Sequence, residues 1–165
     1  TYGPRQFPEK FIPLVILKAL SNQPLPIYGD GKQIREWIHV DDHVAGIIAV
    51  LEKGEPGSSY NLGSGLEVQN IELAQQMCGI LNKNLLKIKG RGLMTKFDFT
   101  EDRPGHDRRY IMDSSKAEKV LNWRCNVDFN EGLDGVIDWY VSNRDWWEPI
   151  LKQEYDLSRL GLLER

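Results

Sequence analysis

The sequence predicts an α/β fold, in which short strands and amphipathic helices alternate within one domain. Apolar residues recur at helical spacing over about 9–22, 41–53 and 70–81. Between these segments lie short runs rich in β-branched and aromatic residues, such as "LPIY" (25–28) and "IREWIHV" (34–40). At 165 residues the chain is long enough for one sizeable hydrophobic core. Together these observations indicate one mixed α/β unit.

The first two predicted helices have different start signals. The helix over 9–22 contains Pro13, which is tolerated only in the first turn because proline lacks a backbone N–H. Asp41 or Asp42 is predicted to cap the second helix, which ends at Gly54. The loop "GDGKQ" and the two strands that flank it separate these helices.

The second half of the chain continues the alternation. Asn70 is predicted to cap a third helix, because its side chain can accept from the first free N–H groups. Trp146 and Trp147 are predicted to dock a final helix and tail onto the core rather than to stack nucleic-acid bases. One face of the third helix carries Ile71, Ala74, Cys78 and Leu81. The remaining predicted strands are 58–63, 85–89, 95–99 and 108–112, and the remaining predicted helices are 114–121 and 130–142.

Composition and charge argue against two classes of partner. The formal net charge of −3 gives no electrostatic reason to expect nucleic acid or an anionic membrane surface. No apolar run approaches the length of about 20 residues that a bilayer-spanning helix needs. The sequence therefore predicts neither a nucleic-acid nor a membrane partner. Any site for an anion must be built from a local group of cations.

The cysteines and the first residues indicate the cellular context. The two cysteines, Cys78 and Cys125, fit neither a disulfide framework nor a metal spacing. Cys78 lies among apolar residues, so we expect a buried thiol in a reducing cytosol and hence a cytoplasmic location. The chain begins "TYGPRQFPEK", without a methionine or a visible signal peptide, which leads us to expect a piece of a longer protein.

Two short motifs have the residue spacing of a catalytic or metal-binding site, but the secondary structure predicted around them does not suit either site. Tyr28 and Lys32 have the Tyr-x-x-x-Lys spacing of short-chain dehydrogenases, yet that pair needs a helix and two glycines lie between them. The segment "GDGKQI" contains Gly29 and Gly31 but not the third glycine of a dinucleotide-binding fingerprint, so we predict that it forms a turn. His39 and His43 would need to share a helical face to bind a metal, and the predicted change from strand to helix points them apart.

The run "DRPGHDRRY" gathers cations around a Pro-Gly pair in an acidic chain. In "RPGH", proline and glycine at the central positions predict a type II turn, which brings the Cα atoms of Arg103 and His106 within about 7 Å. Both side chains could then donate to one anion, and Arg35 could add a further cation. Alternatively, Asp102 and Asp107 neutralise the arginines on a solvated loop. The residues alone leave both interpretations open.

Five segments, taken in order, carry a resemblance to a known family. They are "YGPRQFPEKFIPL", "PLPIYGDGKQIREWIHVDDH", "GSSYNLGSG", "DRPGHDRRY" and "EGLDGVIDWYVSN". Together they closely resemble the C-terminal part of the dTDP-glucose 4,6-dehydratases, a family of extended short-chain dehydrogenase/reductases. The resemblance covers roughly residues 1–143, and the tail after Asn143 has no counterpart that these motifs place.

The resemblance implies a fold and an activity. The fold is the C-terminal substrate-binding portion of an extended short-chain dehydrogenase, whose N-terminal NAD(P)-binding Rossmann-like half is absent from this chain. Enzymes of this family use bound NAD+ to oxidise the sugar of dTDP-glucose at C4, eliminate water between C5 and C6, and return the hydride to C6. The implied whole protein is a homodimeric lyase of deoxysugar and cell-surface polysaccharide synthesis. No catalytic residue is expected in this chain, which should be inactive alone.

The resemblance also assigns binding residues by matching position. Arg35 would face the diphosphate, and Thr1 would lie beside the cofactor NAD. The segment 38–64 is expected to pack on the Rossmann domain, which leaves apolar residues of its helix without their natural partner, and 144–165 is expected to form a tail. The other expected contacts to the nucleotide-sugar are Lys10, Phe11, Pro26, Ile27, Tyr28, Asn70, Asp102, Arg103, Pro104, Gly105 and His106.

Two alternative functions stay open at this point. One is an epimerase or dehydratase of the same fold that acts on UDP- or GDP-sugars, because the sequence does not give the shape of the base pocket. The other is a free-standing, non-catalytic module that binds nucleotide-sugars. The start of the chain at Thr1 argues against the module.

Overall fold

The computed structural model describes residues 1–89 and 96–153. The elements within these ranges confirm the predicted α/β class. The helices are α1 (Phe11–Leu20), α2 (Val40–Lys53), α3 (Asn70–Lys89), α4 (Ser115–Leu121), α5 (Phe129–Ser142) and α6 (Arg144–Gln153). The strands are β1 (Leu25–Tyr28), β2 (Ile34–Glu36), β3 (Glu67–Gln69) and β4 (Phe97–Thr100).

The strands form two small sheets that meet the same segment of chain. β1 pairs in parallel with β4, so that Tyr28 lies opposite Thr100 at the end of both strands. β2 pairs antiparallel with β3, and Ile34 of β2 also forms a bridge with Arg109. The segment 102–110 therefore leaves the end of one sheet and reaches the edge of the other.

The main core lies between α1, α3 and α5. The last helix, α6, joins it: the indole nitrogen of Trp147 donates to the backbone carbonyl of Tyr140 at 2.8 Å, and the ring of Trp146 packs edge-on against Trp139. This docking confirms that the two tryptophans attach the final helix to the core, whereas residues 154–165 of the expected tail lie outside the described residues. The core side chains that are at most 1% exposed include Ile12, Val15, Ile16, Leu17, Leu73, Met77, Leu81, Leu133, Val136 and Ile137.

A second, smaller core lies beneath α2 and α4 and contains a buried carboxylate. Asp42 is 4% exposed, and its two carboxylate oxygens accept from the backbone N–H groups of Asn126 at 2.9 Å and Val127 at 3.1 Å. Its backbone carbonyl accepts from the indole of Trp123 at 3.1 Å. Asp42 thus fastens the chain before α5 to the start of α2.

The start of α2 corrects the predicted cap. His39, rather than Asp41 or Asp42, occupies the cap position, and its Nδ1 accepts from the backbone N–H of Asp41 at 3.3 Å. Asp42 cannot serve because its carboxylate is turned to other backbone groups. The predicted end is confirmed, since the N–H of Gly54 bonds to the carbonyl of Val50.

Three predicted strands differ from the structure. Residues 85–89 continue α3, because leucine and lysine favour helix. Residues 58–63 form no strand; side chains of α4 and its cap hold this segment instead, as when Lys116 donates to the carbonyl of Ser59 at 3.0 Å. Residues 108–112 contribute only the bridge at Arg109. The strand predicted at 95–99 is observed as β4, and residue 95 lies outside the described residues.

Candidate functional site

The predicted type II turn is present at the centre of the "DRPGHDRRY" run. The backbone N–H of His106 donates to the carbonyl of Arg103 at 3.2 Å, which closes the turn. Gly105 has a φ of 68°, the conformation that the third position of a type II turn requires. The turn follows directly from β4, so the sheet fixes where it stands.

Asp102 is the centre of the hydrogen bonds in this turn. Its Oδ1 lies 2.6 Å from Nδ1 of His106 and 2.9 Å from the backbone nitrogen of Arg103. Its Oδ2 accepts from Nε2 of Gln33 at 2.7 Å. The bond from His106 is the largest cause that lowers the pKa of Asp102, and the bonds from Arg103 and Gln33 act in the same direction. Asp102 is therefore a carboxylate at neutral pH, and His106 keeps only Nε2 for a ligand.

Two arginines of the run are neutralised by other segments of the chain. Arg108 donates to Asp30 at 3.0 Å, and Arg109 makes a two-pronged pair with Glu67. Asp102 and Asp107 do not neutralise them, so that part of the solvated-loop interpretation is wrong. In the described part of the chain, the guanidinium of Arg103 has no hydrogen-bond or ion-pair partner, which leaves it accessible to an anion.

Arg35 meets the same run from β2. One guanidinium nitrogen donates to the backbone carbonyl of Asp107 at 2.9 Å, and the guanidinium lies over the ring of Tyr110. The sequence left open whether the two segments meet, and the structure brings them together. Arg35 and Arg103 therefore supply two cations beside one turn.

The end of β1 faces the turn from the other sheet. The ring of Tyr28 lies 6.4 Å from that of His106 in an edge-on arrangement. Burial alternates along β1, so Pro26 and Tyr28 share the partly exposed face while the side chain of Ile27, 1% exposed, lies in the core. Of these three expected contacts, Ile27 can reach a ligand only through its backbone.

The glycine loop after β1 brings Asn70 to the same place. The backbone N–H of Asn70 donates to the carbonyl of Gln33 at 3.0 Å, and the N–H of Ile71 donates to Gly31 at 2.9 Å. α3 begins at Asn70 itself, so Asn70 occupies the first helical position rather than the cap position predicted for it. Gln33 connects this residue to Asp102. The turn conformations of Gly29 and Gly31 also confirm that this loop is no helix.

Three of the expected binding residues make their contacts away from the turn, namely Lys10, Phe11 and Thr1. Lys10 precedes α1 and pairs with its neighbour Glu9 at 3.2 Å. The ring of Phe11 lies 6.2 Å from that of Trp37. The hydroxyl of Thr1 lies 3.0 Å from Nδ1 of His43 in α2. The structure thus brings together Tyr28, Arg35, Asn70, Asp102, Arg103 and His106, and it leaves these three outside that group.

A separate cavity of about 290 Å³ lies at the starts of α2 and α5. Burial raises the pKa of Tyr2 to about 12 and that of Cys125 to about 11, so both groups are uncharged at neutral pH and offer no reactive nucleophile. Neither of the described ranges contains a cluster of histidine, cysteine and carboxylate side chains that could hold a metal. The cavity walls include Tyr2, Trp37, His39, Asp42, Ser64, Cys125, Asp128 and Phe129.

Residues 1–136 match the model of the family described as GDP-mannose 4,6 dehydratase. The chain belongs to this family. Among its curated relatives, the dTDP-glucose 4,6-dehydratase of Xanthomonas campestris pv. campestris is 46% identical over 97% of the chain, which covers 46% of the relative. The chain thus spans just under half the length of the relatives it matches, and its resemblance to their C-terminal part is confirmed.

Solved structures of the extended short-chain dehydrogenase fold agree with this membership. The dTDP-glucose 4,6-dehydratase of Streptomyces venezuelae, determined with NAD bound, is 44% identical with a TM-score of 0.77, and the match covers 90% of this chain and 44% of that one. The UDP-glucuronic acid 4-epimerase of Bacillus cereus is 29% identical with a TM-score of 0.69 and coverages of 86% and 42%. No helix in the described part of this family member is both long and apolar enough to cross a membrane.

Proposed function

We propose that this chain is the nucleotide-sugar-binding portion of a dTDP-glucose 4,6-dehydratase. The whole enzyme would convert dTDP-glucose to dTDP-4-keto-6-deoxyglucose with bound NAD+. A homodimeric assembly, a cytoplasmic location and a place in deoxysugar and polysaccharide synthesis belong to the same proposal. It is supported by the names of the relatives at 40–46% identity and by the arrangement of charges at the turn.

The observation that carries the proposal is the unpaired guanidinium of Arg103 beside the ordered turn. Arg108 and Arg109 already have carboxylate partners, whereas Arg103 has none in the described residues. A nucleoside diphosphate carries about two negative charges, and a hydrogen bond to a charged group contributes roughly 1.5–3 kcal/mol. Arg103, Arg35 and Nε2 of His106 could hold the diphosphate without making the protein basic.

The neighbouring residues would position the remainder of the ligand. We assign Pro26, Tyr28 and Asn70 to the nucleoside, because Pro26 and Tyr28 share the partly exposed face of β1 and Asn70 is bonded to Gln33 beside the turn. We assign Lys10 and Phe11 to the sugar side. Tyr28 offers an aromatic face to a planar base. Asp102, Pro104 and Gly105 contribute by fixing the turn rather than by supplying a cation.

NAD+ would supply the hydride acceptor of the whole enzyme, but this chain offers little to hold it. Gly29 and Gly31 lie in a turn before β2, not between a strand and a helix, so the loop cannot cradle a pyrophosphate. Thr1 is assigned beside the cofactor, and its hydroxyl is bonded to His43. The work of the described residues is therefore to bind and orient the nucleotide-sugar.

Helix α2 supports the proposal that 38–64 packs on a nucleotide-binding domain. Its outward face carries an unbroken apolar stripe, with 45–81% of each side chain exposed, at the spacing of one helical face. Such a stripe is unusual on a free surface and favours self-association when uncovered. The stripe consists of Val44, Ile47, Ile48 and Leu51.

The second candidate is an enzyme of the same fold that uses a UDP- or GDP-sugar. It is favoured by the description of the matching family model and by the epimerase among the solved neighbours. Competition calorimetry of the chain with dTDP, UDP and GDP distinguishes the candidates. We expect dTDP to bind most tightly, and a preference for GDP or UDP would reject the first candidate. Absence of binding by all three would reject a self-sufficient nucleotide-sugar site.

A further inference from the structure

We propose that Gln33 is a positioning residue of this site: it orients the carboxylate of Asp102, which in turn orients the imidazole of His106. The inference rests on the proposed function, because it assigns a role within the same site. Gln33 lies in the loop between β1 and β2 and is 2% exposed. Within the described ranges, Gln33 and Asp42 are the polar or charged residues that are buried to this degree.

The geometry fixes both oxygens of one carboxylate. Oδ2 of Asp102 accepts from Nε2 of Gln33 at 2.7 Å, and Oδ1 lies 2.6 Å from Nδ1 of His106. Rotation of the carboxylate would therefore break both contacts at once. Gln33 is itself anchored, because its backbone carbonyl accepts from the N–H of Asn70 at 3.0 Å. The orientation of His106 is in this way tied to the start of α3.

The chemistry of the contact assigns the amide orientation. An ionised carboxylate can only accept, so the nitrogen of Gln33 must face Asp102. Oε1 of Gln33 then points away, where it is buried and has no partner among the described residues. An unsatisfied buried acceptor destabilises a protein, and an apolar side chain of similar size would avoid that cost. A glutamine here is best explained by the hydrogen bond that it donates.

The neighbouring backbone leaves room for this contact. Gly29 has a φ of 56°, and a Cβ atom there would lie 2.9 Å from Oδ2 of Asp102 and 3.2 Å from Nε2 of Gln33. Any side chain at this position would press on the hydrogen bond between them. The glycine therefore permits the approach of Gln33 to Asp102 as well as the turn.

As a consequence, His106 has one defined ring nitrogen available to a ligand. Nδ1 of His106 is held by Asp102, and the side chain of His106 is 6% exposed. The ring of Tyr28 stands edge-on beside it. Nε2 is then the nitrogen left to donate to an anionic oxygen of the ligand. Without Gln33, the carboxylate could rotate and the imidazole would sample other orientations and tautomers.

The test compares Gln33→Leu and Gln33→Glu with Gln76→Leu as a matched control. Gln76 also donates an amide hydrogen bond between elements, to Asn130 at 2.7 Å, but lies outside the site. In the ligand-free protein, carboxyl ¹³C NMR follows the titration of Asp102, and imidazole ¹⁵N NMR follows the tautomer of His106. Calorimetry with dTDP then measures affinity for each variant.

We expect Gln33→Leu to raise the pKa of Asp102 toward its ordinary value, because a donor to the anion is lost, and to mix the tautomers of His106. Gln33→Glu should raise that pKa further, since two carboxyls would face each other. Affinity for dTDP should fall by roughly fivefold to tenfold in both variants, which corresponds to about 1 kcal/mol for one hydrogen bond. Gln76→Leu should leave all three measurements unchanged.

The outcomes separate this inference from the proposed function. An unchanged Asp102 titration and His106 tautomer in both folded Gln33 variants would overturn it, as would an altered tautomer with unaltered dTDP affinity. If Gln33→Leu fails to fold, Gln33→Glu, which keeps the volume of the side chain, decides in its place. Failure of the unsubstituted chain to bind dTDP, together with the expected NMR changes in the variants, would count against the proposed function instead.

Discussion

Arg35 lies over Tyr110, with its guanidinium carbon 4.6 Å from the centre of the ring, while its two terminal nitrogens donate to the backbone carbonyls of Asp107 and Ile34. This contact joins β2 to the cation-rich run across more than seventy residues of sequence. A guanidinium held by these three contacts has few alternative orientations, so in the proposed site its remaining N–H groups would be pre-arranged for an anion. Arg35 joins β2 to the cation-rich run, and in the proposed site it would also contribute a positive charge to the diphosphate.

Substitution of the arginines should separate ligand contacts from structural pairs. We expect Arg35→Ala and Arg103→Ala each to weaken dTDP binding by roughly tenfold or more, because each removes a charged hydrogen bond to the diphosphate. Arg108→Ala and Arg109→Ala should weaken it less, since both side chains already pair with carboxylates. Calorimetry measures all four, and small equal losses throughout would restore the interpretation of a solvated turn.

Arg35→Lys provides a control for the two roles of Arg35. Lysine keeps the charge but loses the planar fork that stacks on Tyr110 and reaches Asp107. We expect affinity between those of the unsubstituted chain and Arg35→Ala. An affinity equal to that of the unsubstituted chain would show that charge alone matters.

The 165-residue chain should not catalyse the dehydration of dTDP-glucose. The reaction needs a hydride acceptor held against C4, a base for the C4 hydroxyl and an acid/base pair for the elimination. The sequence has neither a dinucleotide fingerprint nor a helical Tyr-x-x-x-Lys pair. Incubation with dTDP-glucose and NAD+ should yield no 4-keto-6-deoxy product above a protein-free control. Measurable turnover would contradict the assignment of this chain to substrate binding.

Loss of the Asp42 carboxylate should destabilise the fold. Asp42→Ala leaves two partly buried backbone N–H groups without their acceptor, and we expect a loss of roughly 2 kcal/mol in the free energy of unfolding. The neighbouring Asp41, whose side chain is 81% exposed, serves as control, and Asp41→Ala should cost less than about 1 kcal/mol. Urea unfolding followed by circular dichroism measures both. Equal losses would refute the structural role of Asp42.

The Glu67–Arg109 pair should stabilise the protein at neutral pH and not in acid. The hydrogen bond from Arg109 lowers the pKa of Glu67 below its ordinary value. The stabilisation is therefore fully present above the ordinary pKa of glutamate and is lost as pH falls through the lowered value. We expect Glu67→Gln to be less stable than the unsubstituted chain at pH 7 and equally stable well below pH 4. The exposed Glu52→Gln serves as control, and a difference that persists in acid would exclude this explanation.

Helices α1, α3 and α5 could be predicted from the sequence because their apolar periodicity coincides with their buried faces. In α3, one apolar face is predicted to carry Ile71, Ala74, Cys78 and Leu81; the last three are buried, and Ile71 is partly buried against the core. The turn at Gly105 was equally predictable, since proline and glycine restrict its backbone conformation locally. Structure that depends on neighbours within a few residues can thus be predicted from the sequence.

Contacts between distant segments could not be predicted in the same way. The partners of Arg108 and Arg109 are Asp30 and Glu67, which lie 78 and 42 residues away. No local pattern encodes such pairs, so the nearer aspartates seemed the better candidates. Gln33 was missed for the same reason, because its burial and its bond to Asp102 depend on how β1 and β4 come together. Only the position of a polar residue beside two turn glycines could have drawn attention to it.

The pairing of β1 with β4 has a consequence for the order in which the molecule assembles. Tyr28 and Thr100 meet across about seventy residues of intervening chain, and closing a loop of that length costs about 4 kcal/mol of chain entropy. The local contacts of the helices can form before this closure, whereas the turn after β4 acquires its place only with it. Recovery of ligand affinity during refolding should therefore lag behind recovery of helical structure. The rate at which affinity returns should then report the rate at which β1 and β4 pair.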